Sequence, residues 1–120
     1  MLRRLIWINS QKTESNLPAG GEMPPPYMNT HYAETLFVGK LAANAHMSPN
    51  SFFAHFRHAT GTSPIQYLLK LRVMHASDHL LHTDWSMDEI ARRNGFTDAN
   101  YMSRVFRAVT GRSPSALRRL

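Results

Sequence analysis

The stretch IARRNGFTDANYMSRVFRAVTGRSPSALR (90–118) decides the fold of this chain. Ile90 and Ala91 form the apolar side of a short helix, and Gly95 can supply the positive φ of a tight turn. After that turn, apolar residues recur at the i, i+3, i+4 spacing of one helix face: Met102, Val105 and Phe106. The stretch therefore predicts a short helix, a tight turn and a longer helix, which is the helix-turn-helix pattern.

The same pattern occurs a second time, 50 residues upstream. SPNSFFAHFRHATGTSP (48–64) and DANYMSRVFRAVTGRSP (98–114) share seven identities in 17 positions, which are Asn50/Asn100, Phe56/Phe106, Arg57/Arg107, Thr60/Thr110, Gly61/Gly111, Ser63/Ser113 and Pro64/Pro114. Before these windows the match continues at a shift of 49, with Leu41-Ala42 against Ile90-Ala91 and Met47 against Phe96. The chain thus carries two copies of one supersecondary unit.

Serine-proline pairs and one capping box predict where the helices begin. Pro49, Pro64 and Pro114 each follow a serine, which can cap the free N–H groups of a helix start. Ser86-Met87-Asp88-Glu89 has the pattern of a reciprocal capping box. Between the two copies an apolar 3.6-residue period from Pro64 to about His82 predicts a linker helix about 28 Å long. Such a helix could set the second helices of the two copies about 34 Å apart, which is one turn of DNA.

Composition limits the class of protein. The chain has 120 residues, enough for one ordinary domain, and a formal net charge of +6 that favours polyanions such as nucleic acid. Eleven of its 14 basic residues are arginine, and it has no cysteine, which excludes disulfides and thiolate zinc sites. No apolar run is long enough to cross a bilayer, so we expect no membrane partner and a cytoplasmic location. Residues 13–31 hold four prolines and a Gly-Gly pair with Ser, Asn and Thr between them, so we expect residues 1–29 to form a flexible N-terminal segment.

From about Thr30 to Leu120 the sequence resembles the DNA-binding domain of AraC/XylS-type bacterial transcription regulators. The residues that carry the resemblance in the second copy are Ile90, Ala91, Gly95, Phe96, Arg104, Phe106, Gly111, Pro114 and Arg118. The resemblance implies an all-α, homeodomain-like fold of seven helices. Residues 30–120 would hold a first helix-turn-helix over about 38–60, a linker helix over about 64–82 and a second helix-turn-helix over about 87–110. It implies a transcription regulator that reads adjacent major-groove segments of double-stranded DNA.

Charge and helix position then predict the contacting residues. Base contacts are expected near the start of each second helix, from Asn50, Ser51, Phe53, Ala54, Asn100, Tyr101 and Arg104. Asparagine can bond adenine twice, and arginine can grip guanine in the same way. Phosphate contacts are expected further along, from Arg57, Arg107 and Arg112. Residues 90–120 hold seven arginines against Asp98 alone, so the C-terminal unit should attract DNA more strongly, with Arg118 and Arg119 extending it.

Several residues depart from the family pattern. His46 stands where the first turn usually has glycine, and Ala54 replaces a common arginine. His55 and Asn94 place polar groups in apolar slots, at a cost of about 1–3 kcal/mol each if they are buried without partners. Pro24-Pro25-Pro26 should remove the N-terminal half of the opening helix, leaving only Tyr27 to Tyr32 helical.

Other functions have weaker support. His75 and His79 lie four residues apart on the predicted linker helix, but no third ligand has a convincing position, so we expect surface histidines and no metal. No nucleophile elbow, phosphate loop or carboxylate pair is present, so we expect neither catalysis nor a cofactor.

Two hypotheses of function stay open. The first is a monomeric sequence-specific regulator. The second is a truncated regulator that acts as a protein-interaction module, for example with RNA polymerase. The family's usual ligand-binding domain is not in these 120 residues, so the chain is either a small regulator or part of a longer one.

Overall fold

The computed structural model describes residues 24–120, and this range contains seven α-helices and no β-strand. The helices are α1 (Pro24–His31), α2 (Val38–Asn44), α3 (Pro49–Thr60), α4 (Pro64–His82), α5 (Met87–Arg93), α6 (Ala99–Thr110) and α7 (Pro114–Arg118). The predicted all-α fold is confirmed, and so are the helix starts at Pro49, Pro64 and Pro114. The predicted flexible segment is wrong for residues 24–29, which are helical, and its residues 1–23 lie outside the described range.

The chain divides into two compact units, and the division falls within α4. Unit 1 comprises Met1–His31, of which residues 24–31 are described, and Leu36–Tyr67. Unit 2 comprises Tyr32–Thr35 and Leu68–Leu120. Each unit therefore contains one complete copy of the repeated helix, turn and helix.

Unit 1 has a small core built around two phenylalanines of α3. The ring of Phe56 lies 5.7 Å from that of Phe52 and 5.5 Å from that of Tyr67, the latter in an edge-to-face arrangement. Further buried apolar residues of this unit are Met28, Leu41, Ala42 and Ala59. Burying one such large side chain stabilises a fold by about 1.5–3 kcal/mol.

Unit 2 has a larger core. Its buried residues come from α4, α5, the following turn and α6: Val73, Ala76, Leu80, Ile90, Ala91, Phe96, Met102, Val105 and Phe106. The predicted apolar stripe of α6 is therefore confirmed as core. Trp85, Met87, Tyr101 and Leu117 pack against this cluster from its edge.

The two copies end their long helices in the same way. Gly61 and Gly111 cap α3 and α6 in the left-handed region, with φ of 80° and 79°. Thr60 donates its hydroxyl proton to the Phe56 carbonyl oxygen at 2.8 Å, and Thr110 does the same to Phe106 at 2.8 Å. The shared Thr-Gly-x-Ser-Pro sequence thus builds one local structure twice, a helix C-cap followed by a serine-capped helix start.

The prediction that the opening helix loses its N-terminal half is wrong. Helix α1 begins at Pro24 and includes Pro25 and Pro26 in its first turn. Since the first N–H groups of a helix have no intrahelical acceptor, prolines placed there remove no hydrogen bond.

Only half of the predicted capping box forms. Ser86 Oγ accepts from the Glu89 N–H at 3.0 Å, but the Glu89 carboxylate pairs with Arg92 and Arg93. The hydrogen bond from Arg93 is the main cause that lowers the pKa of Glu89, and Arg92 adds to it. Two cations within one helical turn therefore hold the carboxylate away from the cap.

Candidate nucleic-acid interface

Helix α6 has one buried face and one exposed polar face. Met102, Val105 and Phe106 lie in the core, whereas Asn100, Arg104 and Arg107 are exposed. These three polar residues are spaced i, i+4, i+7 and therefore lie on one side of the helix. Arg112 is exposed just beyond its end, and Tyr101 is half-buried at its edge. The structure thus brings together the predicted contact residues of the second copy.

Helix α3 presents the equivalent exposed face in unit 1, but this face has fewer side chains that can donate hydrogen bonds to DNA. Asn50, Ser51, Ala54 and Arg57 are exposed, and Phe53 is 39% exposed. The Ser51 N–H donates to Ser48 Oγ at 3.2 Å, and the two hydroxyls lie 3.1 Å apart, so Ser51 belongs to the helix cap. Ala54 offers only a methyl group where α6 has Arg104.

The turn of each copy contains one residue with positive φ. Gly95 has φ of 86°, as predicted, and His46 takes the corresponding place with φ of 58°. Met47 N–H donates to the Ala42 carbonyl oxygen and Phe96 N–H to that of Ala91, both at 2.9 Å. The turns are closed alike, but His46 adopts a conformation that non-glycine residues rarely adopt.

The second turn also contacts the segment that precedes α2. A Cβ atom placed on Gly95 would lie 3.0 Å from both the Cα and the carbonyl oxygen of Ala33, and 2.7 Å from Arg72 Nε. Arg72 donates from Nε to the Tyr32 carbonyl oxygen at 2.7 Å and from a terminal nitrogen to that of Glu34 at 2.9 Å. Burial lowers the pKa of Arg72. The sequence analysis did not predict these two hydrogen bonds of Arg72, because a single arginine in a helical pattern resembles a solvated side chain.

Asn94, just before this turn, is completely buried, as expected for an apolar slot. Its Nδ2 lies 2.8 Å from the Ile90 carbonyl oxygen and 2.9 Å from His79 Nδ1, while Oδ1 has no hydrogen-bond partner. Donation to Ile90 fixes the amide orientation, so His79 Nδ1 accepts. The His79 ring also lies 4.8 Å from that of Trp85.

The arginines of residues 90–120 differ in their partners and in their exposure. Arg118 donates to the carbonyl oxygens of Leu80, Thr83 and Trp85 at 3.3, 3.1 and 2.7 Å, around the end of α4. Arg118 therefore holds the end of α4 within unit 2, and the expectation that its charge extends the DNA-binding surface stays a prediction. Arg92 and Arg93 pair with Glu89, and Arg93 also lies 4.3 Å from the centroid of the Trp85 ring. Apart from Arg118, all the arginines of this region are exposed: Arg92, Arg93, Arg104, Arg107, Arg112 and Arg119.

No group of three or more His, Cys, Asp or Glu side chains within residues 24–120 is placed to hold a metal ion. His75, one of the two histidines with suitable spacing, stacks on the Tyr32 ring at 3.9 Å. None of the described helices has both the length and the apolar character that crossing a bilayer requires.

Two units, each with a tight turn and an exposed second helix, define a double helix-turn-helix domain. A family model described as a helix-turn-helix domain matches residues 41–120. The DNA-binding domain of AdpA, a global transcriptional factor, solved in complex with a target DNA, is 38% identical with a TM-score of 0.76, over 80% of this chain and 86% of that one. An AraC-type transcriptional regulator from Chromobacterium violaceum is 25% identical with a TM-score of 0.75, over 81% and 87% of the two chains. This chain belongs to the AraC-type helix-turn-helix family.

Curated relatives are longer than this chain. The MmsAB operon regulatory protein of Pseudomonas aeruginosa is 36% identical over 92 residues, which are 77% of this chain and 30% of the relative. The transcriptional activator RhaS of Klebsiella pneumoniae is 33% identical over 77% of this chain and 33% of its own length. The chain thus spans about a third of the length of these relatives.

Proposed function

We propose that this chain is the DNA-binding part of a transcription regulator that reads double-stranded DNA through α3 and α6. The observation that carries the proposal is the exposed face of α6, where Asn100, Arg104 and Arg107 lie opposite the buried core face. A helix held by its apolar face can present such side chains to base edges and phosphates of the major groove. The AdpA domain, solved with its target DNA, supports the same use here.

The exposed side chains suggest a division of roles. Arg104 and Asn100 lie in the first two turns of α6 and have donors suited to guanine and adenine. Arg57, Arg107 and Arg112 lie near or beyond the helix ends, where they would neutralise phosphates. Each phosphate contact should add about −0.9 to the slope of log K against log salt concentration.

Selection from a pool of random duplexes at physiological salt tests the proposal. An enriched motif is the expected result. Arg104→Ala should flatten the preference at one position, whereas Arg107→Ala should weaken binding to all duplexes and reduce the salt slope by about 1. A chain that enriches no motif would support the second hypothesis, a module that contacts another protein. Unit 1 favours that reading, since Ala54 and the capped Ser51 offer α3 little base chemistry.

Three finer proposals accompany this function. The chain binds as a monomer, because it already contains two reading helices; the stoichiometry from sedimentation with one duplex tests this. RNA polymerase is a candidate protein partner, which binding of the purified enzyme to the chain on DNA tests. Binding to DNA and contact with RNA polymerase both require a cytoplasmic location. Fractionation of cells that produce the protein tests this location.

A further inference from the structure

We propose that Tyr101 is a positioning residue for Arg104, and that this pair makes the second helix-turn-helix the main source of sequence discrimination. The inference rests on the proposed function. It assigns to the Tyr101 ring a role different from a direct base contact.

The two side chains meet on the surface of α6. Tyr101 and Arg104 are spaced i, i+3, and the guanidinium carbon lies 5.9 Å from the centroid of the tyrosine ring, within the range of a cation–π contact. Arg104 is exposed and Tyr101 half-buried. A free arginine on a helix surface samples many rotamers, all but a few of which must be given up when it binds a base. A ring that holds the guanidinium beforehand reduces that loss.

The tyrosine ring is itself fixed by the turn. The ring of Phe96 lies 6.0 Å from that of Tyr101 in an edge-to-face arrangement, and Phe96 is only 4% exposed. The Tyr101 N–H donates to the Asp98 carboxylate at 2.7 Å, which caps α6 at this point. Arg104 is therefore connected through two aromatic rings to the core of unit 2.

The first copy of the repeat supplies an internal comparison. It keeps Phe56, Arg57, Thr60 and Gly61, which build the long helix and its end. It has other residues at the positions of Phe96, Tyr101 and Arg104. Met47 stands for Phe96, Ser51 for Tyr101 and Ala54 for Arg104. Since both copies form the same helices and caps, the contact between Tyr101 and Arg104 is not needed to build these helices. The presence of this contact in one copy alone favours a role beyond building the helices, which the proposed function supplies.

Four variants on the selected duplex test the pairing: Tyr101→Leu, Tyr101→Phe, Arg104→Ala and the double variant Tyr101→Leu/Arg104→Ala. The measured quantity is the ratio of affinities for the selected duplex and for one exchanged at the base pair whose preference Arg104→Ala removes. Tyr101→Leu should lower this ratio about 2–5-fold, the effect expected from losing an exposed cation–π contact. Tyr101→Phe keeps the ring and should preserve the ratio. In the Arg104→Ala background, Tyr101→Leu should change nothing further.

Two results would overturn the inference. One is a ratio unchanged by Tyr101→Leu in a folded protein. The other is a fall of this ratio in Tyr101→Phe equal to the fall in Tyr101→Leu. That result would show that the tyrosine hydroxyl group contacts DNA directly. A wild-type chain that selects no duplex would instead refute the proposed function, so the two failures are distinguishable.

A gain-of-function experiment keeps the inference testable if Tyr101→Leu does not fold. Ala54→Arg and Ser51→Tyr/Ala54→Arg place the pair on α3. The Ser48 cap keeps the backbone N–H of residue 51 as its donor, although Ser51→Tyr removes the contact between the two serine hydroxyls. Ala54→Arg alone should tighten binding to all duplexes alike. The double variant should add a new preferred base position to the selected motif. An equally sharp new preference in Ala54→Arg alone would show that arginine needs no ring, and would overturn the inference.

Discussion

Substituting alanine for Gly95 should destabilise the protein far more than the same change at Gly111. Both glycines lie in the left-handed region, with φ of 86° and 79°, where a Cβ atom costs about 1–2 kcal/mol. At Gly111 the new Cβ would have no heavy atom within 4 Å, so we expect only this conformational cost. At Gly95 it would lie 2.7 Å from Arg72 Nε and 3.0 Å from the backbone of Ala33.

Relief of that contact must move either backbone or an arginine that already donates to the Tyr32 carbonyl oxygen at 2.7 Å. Overpacking of this kind adds about 1–3 kcal/mol, so Gly95→Ala should lower the free energy of unfolding by about 2–5 kcal/mol in total. Urea denaturation of both variants and the wild type, followed by circular dichroism, measures the difference. An equal loss in the two variants, or a larger one in Gly111→Ala, would refute the contact between the second turn and Ala33.

Three further substitutions test other contacts by the same denaturation assay. Arg118→Ala should lower the free energy of unfolding by about 2–4 kcal/mol, because three carbonyl oxygens lose a charged donor, while Arg119→Ala, at an exposed neighbour, should change it by less than about 0.5 kcal/mol. Asn94→Val should be neutral within about 1 kcal/mol, since removing the unpaired Oδ1 is offset by losing the Nδ2 contacts with Ile90 and His79; a clear gain would show that those contacts contribute little. Ser86→Ala should cost about 1 kcal/mol through loss of the α5 cap, and no loss would contradict its geometry.

The repeated motifs made most of the fold predictable. Serine before Pro49, Pro64 and Pro114 indicates a helix start by local chemistry alone, and each hydroxyl-capped start occurs in a sequence whose apolar period agrees with it. The core face of α6 follows from the same period. The prediction for the three prolines of α1 is wrong because the effect of a proline depends on its position in the helix. Met23, which precedes Pro24, is not a capping residue type, so the sequence does not mark Pro24 as the first residue of a helix.

The contacts that sequence reasoning missed are formed by residues distant along the chain. Arg118 and Arg72 resemble solvated basic residues until the carbonyl oxygens they bind, 33 to 40 residues away, are known. Glu89 matches the capping-box spacing, but two arginines compete for its carboxylate. The exposure of Arg104 and Arg107 was predictable from the helix period, whereas their contacts with DNA stay predictions.

Methylation interference on the selected duplex tests the central claim most directly, since methylation of guanine N7 blocks contacts in the major groove. We predict interfering guanines in the major-groove segment that α6 reads, with interference at one guanine lost in Arg104→Ala. Tight binding without interference at any guanine, or a pattern that Arg104→Ala leaves unchanged, would contradict major-groove reading by α6.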